Sequence, residues 1–160
     1  MELVNQILDA GAAICEDVLA PLNEVGDQQG CKIGENGVET PPGFKEAYQQ
    51  FVEGGWVGLT GEEEFGGQGL PLSLNVVMSE IVGAANWSFG MYPGLSGGAA
   101  NALRAHATPE QREKYLSKLV SGEWTGNMCL TESHCGSDLG LLRTKAVPNA
   151  DGTYKISGTK

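Results

Sequence analysis

The chain has 160 residues, 41% of them hydrophobic, with a formal net charge of -10 and an isoelectric point near 4.5. Such an excess of acid repels a phosphate backbone, which excludes nucleic acid and anionic membrane surfaces as main partners. No stretch is long and apolar enough to span a bilayer, the acids among residues 1–22 leave no signal peptide, and Cys15, Cys31, Cys129 and Cys135 lack disulfide-framework spacing, so the thiols read as reduced and the location as cytoplasmic.

Val4, Ile7, Leu8, Ile14, Cys15, Val18, Leu19 and Leu22 recur at three- and four-residue steps, which predicts a long amphipathic helix ending near Pro21. Residues 25–42, rich in Gly, Asp, Gln and Asn, read as an exposed connection. After Pro41-Pro42, one face carries Phe44, Tyr48 and Phe51, and Gly54-Gly55 supplies the stop of a second, shorter helix. The acidic run Glu62-Glu63-Glu64 reads as solvated loop in preference to a catalytic carboxylate pair. The glycine-dense stretch from Phe65 to Pro71 reads as a tight, backbone-defined loop.

Residues 72–87 are apolar on nearly every side, with the strongest stripe at Leu74, Val77, Met78, Ile81 and Val82, so this helix is expected at the centre. The small residues that begin at Gly94 allow close approach of a neighbouring helix or of a ligand, with close packing the first expectation. Thr108-Pro109-Glu110-Gln111 combines an N-cap, a proline at the first helical position and a capping-box partner, predicting a helix through Val120. Beyond Ser121-Gly122 the pattern turns to β, with a strand over 124–130 and another at 155–157 after the Asp151-Gly152 turn.

The segment Met128-Cys129-Leu130-Thr131-Glu132-Ser133-His134-Cys135-Gly136-Ser137-Asp138 is an apolar run leading into hydroxyl, glycine and acid. Thr131 and Ser137 offer donors and acceptors, Gly136 removes a side chain where a ring or phosphate approaches, and Asp138 fixes the turn. This segment resembles the Thr-Glu-Pro-x-Ala-Gly-Ser-Asp signature of acyl-CoA dehydrogenases. Three further blocks stand in register with it. They are residues 55–59 with 65–71, residues 108–116 running through Gly122-Glu123-Trp124, and residues 151–160.

The resemblance implies a mainly α fold, with a helical N-terminal domain over 1–126 and the incomplete beginning of a β-barrel-like middle domain over 127–160. It implies an FAD-dependent oxidoreductase in which a glutamate base takes the proton α to a thioester while the β-hydride passes to the flavin. By position, Thr131 contacts the ring, Met128 and Leu130 line it, and Gly136 and Ser137 meet the phosphate-bearing arm. Ser137 also faces the acyl-CoA substrate, and the helical segment with Trp87, Met91 and Gly94 borders the acyl pocket. No catalytic residue is expected before Lys160, because the family carries its glutamate in a later helical domain; the 160 residues alone are expected to be inactive. An electron-transfer flavoprotein partner and a homo-oligomer follow from the same resemblance.

Ser133 stands where the signature has proline, and His134-Cys135 where a small pair is common. That pattern, with the large connection before Pro41, resembles the longer dehydrogenases that include methylthiopropanoyl-CoA enzymes. Cys129, His134 and Cys135, with or without His106, match no common zinc spacing, so no metal is expected. Cys135 reads as a steric fit in the turn more than as a reactive thiol. Of Trp56, Trp87 and Trp124, only Trp87 is expected near a ligand. The alternative for the whole chain is a non-catalytic helical interaction module on the same scaffold.

Overall fold

The computed structural model describes residues 2–160, and the chain divides into two compact units, Met1–Gly126 and Asn127–Lys160. In the first unit α1 (Glu2–Ile14) runs through a π-helical turn (Cys15–Leu19) into α2 (Ala20–Gln29). The helix does not end at Pro21, as the sequence suggests. Pro21 occupies the first turn of α2, where its missing N–H costs nothing, and the helix continues to Gln29, with Gly30 as C-cap in a positive-φ conformation. The connection expected over 25–42 is in part a hairpin, β1 (Lys32–Gly34) against β2 (Gly37–Glu39), with Ile33 and Val38 exposed.

The second helix forms where its pattern places it. In α3 (Phe44–Glu53), Phe44, Ala47 and Phe51 are buried and Tyr48 half-buried. The glycine-dense loop is held mainly by backbone, with Gly67 N–H donating to Glu62 O (2.9 Å), Gln68 to Gly58 (2.9 Å), Gly69 to Gly61 (2.8 Å) and Leu70 to Leu59 (3.1 Å), and by Gln68 Nε2 donating to Gly55 O (2.9 Å). A Cβ on Gly67 would run into the Gly61 backbone, so only glycine permits this approach.

Helix α4 (Leu72–His106) is central, as its apolar character requires, but it is two helices joined at a break. Asn86 is non-helical (φ -159°, ψ 92°), and its Oδ1 accepts the Phe89 N–H at 3.0 Å, an N-cap for the second half. Leu74, Met78, Val82 and Phe89 pack against Cys15, Leu19, Phe44, Phe51 and Leu59 to form the core. Of the expected stripe, Val77 is exposed and Ile81 half-buried. Helix α5 (Pro109–Val120) carries the full capping box, with Thr108 Oγ1 accepting the Gln111 N–H and Gln111 Oε1 the Thr108 N–H.

The second unit contains one hairpin, β3 (Lys145–Pro148) against β4 (Tyr154–Ser157), paired antiparallel from Lys145↔Ser157 to Pro148↔Tyr154 around the Asp151-Gly152 turn. The strand expected over 124–130 is not formed. An extended segment becomes a strand only when a neighbour takes its N–H and C=O groups, and no described residue pairs with this one. No helix among the described residues is long and apolar enough to cross a membrane.

Candidate functional site

The first unit carries a cleft of about 510 Å³ along α4, lined among others by Trp87, Met91 and Gly94, with Met78, Val82 and Arg104. Trp87 and Met91 are 69% and 46% exposed, which places two large apolar side chains at the surface of the helix whose Met78, Val82 and Phe89 are buried. A Cβ built on Gly94, Gly97 or Gly98 meets nothing within 4 Å. The expected close packing of this small-residue run is therefore absent in its first turns, and the glycines instead form an open wall. Ser96, fully buried within the same run, donates its hydroxyl to Tyr92 O (3.1 Å) and accepts the Gly126 N–H (3.1 Å).

At one end of this cleft Arg104 Nε lies 3.0 Å from Glu62 Oε2, and its NH1 donates to Asn101 Oδ1 at 2.8 Å. Glu62 thus has a partner, where the acidic run alone suggests only solvated loop. Trp56 packs near Phe51 (ring centroids 6.4 Å), and Trp124 lies beside Tyr115 (6.1 Å) with the Lys118 ammonium over its ring (4.9 Å). Trp87 and Trp56 both line the cleft and Trp124 does not, so the expectation that only Trp87 stands near a ligand is too narrow.

In the second unit, residues 128–138 form a loop around one buried carboxylate. Glu132 is 5% exposed. Its Oε2 accepts the Arg143 N–H (2.9 Å), its Oε1 accepts the Thr144 N–H (3.0 Å), and the Lys160 ammonium lies 3.1 Å from Oε1. Lys160 also donates to Leu130 O at 2.9 Å. The Thr144 side chain, those two amides and Lys160 together hold the Glu132 carboxyl well below the usual carboxylate range. Glu132 and Cys135 exchange both backbone hydrogen bonds, at 2.9 and 3.1 Å, closing the turn. Asp138 fixes the next turn by accepting the Gly140 N–H at 3.0 Å.

Around this anchor Thr131, Gly136 and Ser137 are exposed, Met128 is 69% exposed and Leu130 is half-buried. Among the described residues, no protein acceptor takes the backbone N–H of Thr131, Gly136 or Ser137. Two free hydroxyls and three free amides beside an apolar methionine are a donor set for a flat ring with a phosphate arm, and they fit FAD. Sequence reasoning singled out these outward-facing residues and missed Glu132, Arg143, Thr144 and Lys160, which hold them. The one available signal was an acid embedded between Thr131 and Ser133 in an otherwise uncharged run.

Glu132, His134 and Cys135 bring one ligand atom each to within 4.8 Å of one another. The carboxylate is engaged by two amides and an ammonium, and His134 Nε2 lies 2.9 Å from Leu141 O, so the carboxylate and the imidazole both serve the loop itself. All four cysteines are free, Cys15 and Cys135 buried, Cys31 and Cys129 exposed.

The fold has the plan of one family. Residues 3–123 match the model described as the acyl-CoA dehydrogenase N-terminal domain, and the chain belongs to the acyl-CoA dehydrogenase family. Among its curated relatives, 3-methylmercaptopropionyl-CoA dehydrogenase of Ruegeria pomeroyi is 45% identical over 158 residues, which are 95% of this chain and 27% of the relative. A butyryl-CoA dehydrogenase of Syntrophomonas wolfei is 35% identical over 98% of this chain and 26% of its own length. The chain thus spans about a quarter of the curated relatives it matches. Butyryl-CoA dehydrogenase from Megasphaera elsdenii superposes with a TM-score of 0.81 at 26% identity, covering 99% of this chain and 39% of that one. An acyl-CoA dehydrogenase from Bacillus anthracis, solved complexed with FAD, gives 0.78 at 25% identity, covering 99% of this chain and 26% of that one.

Proposed function

We propose that this chain is the front part of an FAD-dependent acyl-CoA dehydrogenase that introduces an α,β double bond into an acyl-CoA thioester. The observation that carries this reading is the 45% identity with 3-methylmercaptopropionyl-CoA dehydrogenase, because a match over 95% of the chain takes in both the cleft and the loop. The two units are read as a helical domain and the opening of a β domain. A small or medium acyl thioester, such as one bearing a methylthio group, is the proposed substrate. The cytoplasm is the proposed location, with a homo-oligomer as the assembly and an electron-transfer flavoprotein as acceptor.

FAD, when bound, supplies the hydride acceptor. Thr131 would place its hydroxyl and free N–H at the reacting edge of the ring, where donors stabilise the negative charge that accumulates on reduction. Met128 and Leu130 would give the ring an apolar floor. Gly136 and Ser137 would offer their N–H groups to the phosphates, with Ser137 also turned to the thioester's carrier. Trp87, Met91 and the bare wall at Gly94 would receive the acyl chain and exclude water from it. The glutamate that takes the α-proton is proposed to lie beyond Lys160 in the full-length protein.

The test is the visible spectrum of the full-length protein before and after anaerobic addition of a short-chain or methylthio acyl-CoA. A flavin spectrum that bleaches supports dehydrogenation. A colourless protein with no affinity for added FAD overturns it in favour of a helical interaction module.

A further inference from the structure

We propose that Glu132 and Lys160 form the positioning pair of the flavin-facing loop: the Glu132 carboxylate, pinned by two amides and one ammonium, sets where Thr131, Gly136 and Ser137 point. This deepens the flavin reading above and rests on it. The pair would touch neither ring nor substrate and would act through the backbone.

The argument starts from reach. Glu132 is adjacent to Thr131, and its N–H and C=O are both bonded to Cys135, which closes the turn one residue before Gly136. Its side chain reaches the other way, to the amides of Arg143 and Thr144 at the entrance to β3. Lys160 comes from beyond β4 and holds the start of the loop at two points, donating to Leu130 O at 2.9 Å while lying 3.1 Å from Glu132 Oε1. One carboxylate therefore ties together the loop and both flanks of the β3–β4 hairpin.

Such a tie is needed because residues 127–131 lack a strand partner among the described residues and Thr131 is exposed. Among the described residues, the backbone here takes its conformation from these contacts in place of ladder hydrogen bonds. A donor set recognises a ligand efficiently when it is fixed beforehand, since ordering it on binding subtracts from affinity. The carboxylate is also the member that cannot be lost cheaply. Its removal leaves the Arg143 and Thr144 amides without an acceptor and the Lys160 ammonium with Leu130 O alone, and hydrogen bonds to a charged group are the stronger kind.

The test uses the full-length protein, with Glu132→Gln, Lys160→Met, the double variant and Lys160→Arg. Amide hydrogen exchange of residues 128–144 is measured on the FAD-free protein, and FAD affinity by titration of the apoprotein. We expect Glu132→Gln and Lys160→Met each to speed exchange across 131–137, and each to weaken FAD binding, by about tenfold or more. The double variant should be little worse than either single one, and Lys160→Arg should recover most of the loss. Unchanged exchange in both single variants would overturn the pair as a positioning device, as would loosened exchange with wild-type FAD affinity. Failure of the wild-type protein to bind FAD would instead sink the flavin reading itself, and with it the role given to the pair.

Discussion

Asn86 Nδ2 donates to Leu19 O at 3.1 Å, joining the break in α4 to the last residue of the π-helical turn between α1 and α2. Both residues are buried, at 1% and 0% exposure, so neither has water as an alternative partner. The same side chain caps the second half of α4 through Phe89 N–H. Replacing Asn86 by Leu would keep the volume and lose both bonds. The expected cost is about 2–4 kcal/mol, read as a lower urea midpoint at unchanged slope. An effect within about 0.5 kcal/mol would mean that the break does not depend on the amide.

This pair also marks how far the sequence could be read. The heptad-like spacing of residues 4–22, the aromatic face of α3 and the Thr108 capping box each declare a local element, because each depends on neighbours within a few residues. The π-helical turn and the break at Asn86 are invisible at that range. Their cause is a hydrogen bond between residues 67 positions apart. The same limit governs the loop at 128–138. Its outward-facing Thr131, Gly136 and Ser137 are legible as a motif, whereas their anchor depends on Arg143, Thr144 and Lys160, which only the folded chain brings to Glu132.

Thr108→Ala removes the side-chain acceptor for Gln111 N–H at the start of α5 and keeps only the reciprocal bond from the residue-108 backbone N–H to Gln111 Oε1. The loss should be about 1 kcal/mol, measured by thermal or chemical unfolding, with Thr108→Ser close to wild type. Equal destabilisation by serine would show that the methyl group, not the cap, matters.

Thiol chemistry should divide the cysteines in pairs. Cys15, 1% exposed, has its thiol pushed up by burial first and by the neighbouring Glu16 second, so little thiolate is present at neutral pH. Cys135 is also buried, while Cys31 and Cys129 lie in the open. Native alkylation followed by mass spectrometry should show two fast sites and two that react only on unfolding. Rapid labelling of Cys15 in the native chain would contradict the packing of α1 and α2 on the core.

Acid should weaken the anchor of the loop only below the ordinary carboxylate range. Because the folded-state carboxyl of Glu132 titrates below its ordinary value near 4.5, its contribution is fully present above that pH and is lost as pH falls through the lower folded-state value. The stability gap between wild type and Glu132→Gln should therefore be constant from about pH 6 upward and shrink below about pH 4.5. A gap that widens in acid would mean the carboxyl is protonated in the native loop.

Gly94 offers the most direct probe of the cleft. It lies inside α4, has open space where a side chain would go, and costs helix stability relative to alanine. Gly94→Ala should therefore stabilise the chain by about 0.5–1 kcal/mol while adding only a methyl to the wall. Gly94→Leu adds three further carbons to a space of about 510 Å³ and should leave stability near wild type while displacing whatever enters. In the full-length protein, the larger side chain should lower kcat/KM for longer acyl-CoA thioesters by about tenfold or more relative to the shortest, since each methylene excluded from an apolar pocket is worth about 1 kcal/mol. If both variants leave the chain-length profile unchanged, the acyl group does not lie along Trp87, Met91 and Gly94, and the cleft serves another purpose.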